Sequence, residues 1–84
     1  MELLPKIIDV KALDNYILEI VFDDDKKVHY DMKEDMKTLP NYYKLSENNL
    51  FKKFEVDESG GCIVWSEEID LPSDILYEYG VEVK

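Results

Sequence analysis

Tyr16-Ile17-Leu18-Glu19-Ile20-Val21-Phe22-Asp23-Asp24-Asp25-Lys26-Lys27-Val28-His29-Tyr30-Asp31 decides the fold class of this chain. Tyr16, Leu18, Ile20 and Phe22 recur every second residue and so share one face of an extended segment, with Glu19 on the other. Asp23-Asp24-Asp25-Lys26 reads as a turn, because Asp tolerates left-handed backbone and hydrogen-bonds locally. A second alternating run follows, with Val28, Tyr30 and Met32 on one face and His29 and Asp31 on the other. Two such runs joined by four residues make an antiparallel pair with one wet side.

Upstream, Lys6 to Leu13 is rich in Ile and Val and enters the pair through the turn Leu13-Asp14-Asn15-Tyr16. Downstream, the Leu39-Pro40-Asn41 stretch breaks regular structure, and Tyr42-Tyr43-Lys44-Leu45 suits a short helical turn. Ser46 is the expected N-cap of a further turn through Asn49 and Leu50, after which Phe51 and Phe54 send rings toward the core. Phe54-Glu55-Val56-Asp57 alternates as a fourth strand. Glu58-Ser59-Gly60-Gly61 is a hairpin turn in which glycine relieves positive φ. Cys62-Ile63-Val64-Trp65 is the fifth strand, with Ile63 and Trp65 on a common face. Asp70-Leu71-Pro72-Ser73-Asp74 is the expected entrance of a C-terminal helix, with Pro72 and Ser73 competing for its first positions. Ile75, Leu76 and Tyr79 would form its apolar stripe and Gly80 its stop. The expected fold is α+β: one small domain over residues 1–84 with a mostly antiparallel five-stranded sheet, in the order β-β-β-α-β-β-α. Short helices pack on one face.

Charge is distributed unevenly. From Glu55 to Val83 there are nine acidic side chains and neither Lys nor Arg; the whole chain carries -10. All ten cations are Lys, so the bidentate Arg fork that clamps phosphate and reads guanine is missing. Direct nucleic-acid binding is disfavoured, since phosphate neutralisation supplies most non-specific affinity. With 45% hydrophobic and 12% aromatic residues the chain differs from disordered acidic tails. Cys62 is the single cysteine, which excludes an intramolecular disulfide. There is no signal-peptide pattern, and no apolar run approaches the ~18–20 residues of a membrane span, so the expected location is the cytoplasm, away from membranes.

The chemistry-bearing residues give no catalytic, cofactor or metal set. His29 and Asp31 lie two apart on one strand face, close enough for a carboxylate to orient an imidazole, but a solvated pair is the ordinary outcome. Cys62 sits in the most acidic third, where a thiolate is disfavoured. Three adjacent Asp at 23–25 alternate direction and cannot all face one calcium ion. One Cys and one His do not make a zinc site. Gly60-Gly61 precedes a strand rather than a helix and is no phosphate loop.

The order of elements and certain residues resemble the family catalogued as domain of unknown function 2442. The matching residues are Pro5, Leu18–Asp24, Phe51, Phe54–Asp57, Gly60–Trp65, Ile69-Asp70-Leu71, Asp74 and Leu76-Tyr77. Departures are Asp25 at a usual turn glycine, Ser66 for a common proline, and Pro72-Ser73 in reversed order. The resemblance implies a compact α+β fold and no catalytic residues to carry over. It also implies genes often placed beside another small domain, an arrangement similar to toxin–antitoxin pairs.

The functional expectation is a small non-enzymatic intracellular interaction module. It would bind a basic protein partner through the acidic final third, in an antitoxin-like role. Its candidate surface is Trp65, Glu67, Glu68, Asp70, Asp74 and Tyr77. Tyr rings among carboxylates suit a Lys- or Arg-rich partner by charge and cation–π contact. The alternative is a small-ligand pocket between the sheet and the C-terminal helix near Trp65, Asp70 and Tyr77. An exposed sheet edge also permits a homodimer.

Overall fold

A computed structural model describes residues 5–39 and 41–83. The expectations for the extreme N-terminus, and the Pro40 at the centre of the break, lie outside the described residues. Among the described residues seven antiparallel strands form two sheets, not one sheet of five. The first is four-stranded, in the order β1 (Ile7–Leu13), β2 (Ile17–Phe22), β3 (Lys27–Asp31) and β7 (Val81–Glu82). The second holds β4 (Glu55–Val56), β5 (Cys62–Ser66) and β6 (Ile69–Pro72). The helices α1 (Lys33–Thr38) and α2 (Ser73–Tyr79) complete the α+β architecture with short 3-10 turns at Tyr42–Ser46 and Leu50–Lys52.

The alternation in β2 does what its period requires: Leu18, Ile20 and Phe22 are fully buried. Their neighbours Val28 on β3 and Ile7 on β1 are buried with them. On β1 the register shifts between Ile7 and Asp9, so that Ile7 opposes Phe22 and Val10 opposes Ile20. The extra residue, Ile8, is left 60% exposed. A bulge of this kind changes strand parity, and here it keeps Asp9 and Lys11 out of the core. Ile63, Trp65, Ile69 and Leu71 of the second sheet join the same apolar cluster, together with Leu45, Phe51 and Leu76. Each such side chain contributes about 1.5–3 kcal/mol by leaving water.

The sheets are tied at a corner where the Ile7 amide donates to the Gly60 carbonyl at 3.0 Å. Gly60 has φ +72°, and a Cβ there would meet the Ile7 oxygen and the Lys6 Cβ at 3.0 Å. Glycine is thus required both by conformation and by space.

Several local expectations need correction. Ile69–Pro72 is a strand rather than a helix entrance, with Ile69 and Leu71 inward and Asp70 and Pro72 outward. Pro72 ends that edge strand, where its missing amide costs no ladder bond. It also occupies the cap position of α2 without a side-chain hydrogen bond, while Ser73 is buried and its amide donates to the Gly61 carbonyl at 2.8 Å. The stripe of α2 is Leu76 with Tyr77, because Tyr79 is 66% exposed. Gly80 does follow the helix, but with φ -68°. Its role is steric: a Cβ would lie 2.7 Å from Val28 Cγ2. Ser46 caps nothing; its hydroxyl donates to the Tyr43 carbonyl, and Asn49 at φ 59° precedes the next turn.

Candidate functional site

The hairpin β5–β6 turns at Glu67-Glu68, and β4 lies on its other side. Since Ile63 and Trp65 face the core, Val64 and Cys62 must face outward. Glu55 opposes Val64, which opposes Asp70. The Asp57 amide donates to the Cys62 carbonyl at 3.0 Å, which continues the ladder by one residue. The outer face of the three-stranded sheet therefore presents Glu55, Asp57 and Asp70 around a short apolar strip of Val64 and Cys62. Glu67 and Glu68 stand at its tip.

All nine acids between Glu55 and Glu82 are exposed. Among the described residues one ion pair reaches them, Lys44 Nζ to Glu68 Oε2 at 3.2 Å. The hydrogen bond to Glu68 raises the Lys44 pKa, so that lysine stays charged. Asp57 accepts from the Ser59 hydroxyl and from the Ser59 amide, and these bonds lower its pKa and orient it within the turn. Burial, then the carboxylates of Asp57 and Asp70, push the Cys62 thiol up. A thiolate nucleophile is thereby disfavoured at this position.

The six candidate residues do not form one surface. Glu67, Glu68 and Asp70 come together on the β5–β6 hairpin, and exposed Asp74 lies in the first turn of α2. Trp65 is only 8% exposed, and its indole N–H donates to the Phe51 carbonyl at 3.0 Å, so it is a core residue. Tyr77 belongs to the first sheet: its ring meets Phe22 edge-on at 5.0 Å and its hydroxyl donates to Asp24 Oδ2 at 2.7 Å. Lys26 Nζ lies 4.0 Å from the centre of the same ring. The Asp70 backbone carbonyl accepts the Tyr42 hydroxyl at 2.6 Å. Trp65, Asp70 and Tyr77 thus engage three different neighbourhoods rather than a shared pocket. Sequence reasoning did not single out Val64 and Glu55 as partners, although the inward pair Ile63 and Trp65 already implied an outward Val64.

On the first sheet, His29 Nε2 lies 3.0 Å from Glu19 Oε2, so Glu19 rather than Asp31 holds the imidazole. That hydrogen bond, ahead of the nearby Lys27, keeps Glu19 below the usual carboxylate range. Asp31 instead pairs with Lys33 Nζ at 3.2 Å. The turn acids diverge: Asp23 accepts the Lys6 amide, and Asp24 accepts the Lys26 amide and the Tyr77 hydroxyl. Asp25 takes φ 70°, the conformation a turn glycine would supply. Among the described residues no three metal-ligating side chains gather, and no helix is long and apolar enough to cross a membrane.

The model of the family described as "Protein of unknown function (DUF2442)" matches residues 7–82. No curated protein and no solved structure matches the chain.

Proposed function

This chain belongs to the DUF2442 family of proteins of unknown function, and from that premise we propose that it is a non-enzymatic interaction module for a basic protein partner. The contact surface is the outer face of the three-stranded sheet, with Glu67 and Glu68 at its rim. One observation carries the proposal: nine acids stand in solvent, and the described lysines pair with one of them. Carboxylates left unneutralised by folding attract a cationic surface and accelerate its approach. The strip of Val64 and Cys62 supplies apolar contact at the centre of that charge. The partner chemistry also fits an antitoxin-like role in the cytoplasm, in which the module would mask a basic surface.

The test uses the immobilised chain and a variant carrying Glu55→Gln, Glu67→Gln and Asp70→Asn. The wild type should retain a basic protein at low salt and release it as ionic strength rises past ~0.15 M, where charges more than ~8 Å apart are screened. The variant should lose that protein while keeping its melting temperature. Retention that ignores both salt and the three substitutions would refute the proposal.

A further inference from the structure

A second feature lies on the four-stranded sheet, away from the acidic face. A hollow of about 460 Å³ opens where β3 meets the start of α1 and the end of α2. That volume falls within the ~300–1,000 Å³ of ordinary ligand clefts. Its walls are mostly apolar: Ile17 on one side, Val81 on the other, and the Tyr79 ring beside them. Tyr79 is 66% and Val81 72% exposed, the two most exposed large apolar side chains among the described residues. Asp31, Glu34 and Asp35 line the same hollow; no lysine is in the lining, although Lys33 Nζ reaches Asp31 Oδ2 at 3.2 Å from beside it.

Two of the acidic side chains are held in place. The Tyr30 hydroxyl donates to Asp35 Oδ2 at 2.6 Å, and burial, then that bond, raise the phenol's pKa so that it remains a donor. The Lys33 amide donates to Asp31 Oδ1 at 2.8 Å. The imidazole of His29, also in the lining, is fixed by Glu19.

These walls select their occupant. An anion would meet three carboxylates of which Lys33 reaches only Asp31, and a purely apolar group would strip water from Glu34 and Asp35 with no cation to replace it. A cation on an aliphatic stem satisfies both parts, with the stem against Ile17 and Val81, the charge near the carboxylates, and the Tyr79 face available for cation–π contact. The hollow also adjoins β7, at which the four-stranded sheet ends among the described residues. An extended segment can add to such an edge through its backbone while one side chain enters the cleft. We infer that this hollow receives an arginine or lysine side chain from a basic segment of a partner protein. It stands independently of the acidic face of the other sheet.

The experiment titrates the full isotope-labelled chain with an N-acetylated, C-amidated peptide of alternating glycine and arginine. Its controls are the citrulline analogue and free spermidine. The arginine peptide should shift the amide signals of His29, Tyr79 and Val81, and the citrulline analogue should not. Tyr79→Ala should weaken binding about two- to fivefold, the range of an exposed cation–π contact, and Tyr79→Phe should retain it. Equal binding of the citrulline analogue would overturn the inference. So would competition by spermidine at equal concentration, which would mark a free-polyamine site. Shifts confined to residues 55–72 would also overturn it and leave the acidic-face proposal standing.

Discussion

The two sheets answer the same problem, a charged outer face over an apolar inner one, in opposite ways. On the four-stranded sheet, Lys27 and His29 of β3 lie against Glu19 of β2, and Lys33 at the start of α1 pairs with Asp31. On the three-stranded sheet, Glu55 and Asp70 flank Val64 with no cation between them. Two strand spacings set them ~10 Å apart, about one Debye length at 0.1 M salt, so their repulsion is mostly screened and the fold tolerates it. The first sheet pairs Glu19 and Asp31 within the fold, whereas the outer face of the second leaves Glu55 and Asp70 without a cation among the described residues. That contrast matters more than the total of -10.

The largest expected effect tests whether the sheets are one cooperative unit. Ile20→Ala in the first and Ile63→Ala in the second remove fully buried side chains and should each cost about 2–5 kcal/mol. Because both belong to one core cluster, each variant should still unfold in a single transition by circular dichroism and tryptophan fluorescence. Two separated transitions in Ile63→Ala would break the comparison, since the sheets would then be autonomous. Next in size, Gly60→Ala at the corner between them should cost about 1–3 kcal/mol in denaturant unfolding, through positive φ and the approach of Ile7.

Acid should distinguish the sheets more weakly. Glu19, Asp24 and Asp31 on the first sheet or its turn have pKa values below the usual carboxylate range, against Asp57 in the turn of the second. The leading causes are the His29 hydrogen bond, the Tyr77 hydroxyl and the Lys33 amide respectively. A depressed folded-state pKa contributes stability that is present above the ordinary carboxylate pKa of ~4 and is lost as pH falls through the lowered value. Melting temperature measured from pH 6 to pH 2 should therefore fall less steeply for Asp24→Asn than for the wild type. The smallest effect is expected from Glu55→Gln with Asp70→Asn, which should leave the melting temperature unchanged or slightly raised. A clear drop would show that those carboxylates serve the fold after all.

Much of this architecture was legible in residue pattern. Leu18, Ile20 and Phe22 announce a buried face by spacing alone, and Gly60 announces its turn. Ile69-Asp70-Leu71-Pro72 alternates too, yet the acids and proline before a helix suggested a helix entrance, and a strand went unseen. For the candidate site, the exposed Glu67, Glu68 and Asp70 followed from charge, while Trp65 and Tyr77 were drawn to it by type and proved to serve packing.

What the chain determines by itself is what depends on neighbours along it: strand faces, turn positions, and an acidic final third without lysines up to Val83. Tertiary structure alone decided the rest. The bulge at Ile7–Asp9, the split into two sheets and the return of Val81–Glu82 to β3 all depend on pairings between distant residues. Whether a lysine from the first half neutralises a given acid is equally non-local. Local spacing sets which way a side chain points, but only the folded chain sets what it meets.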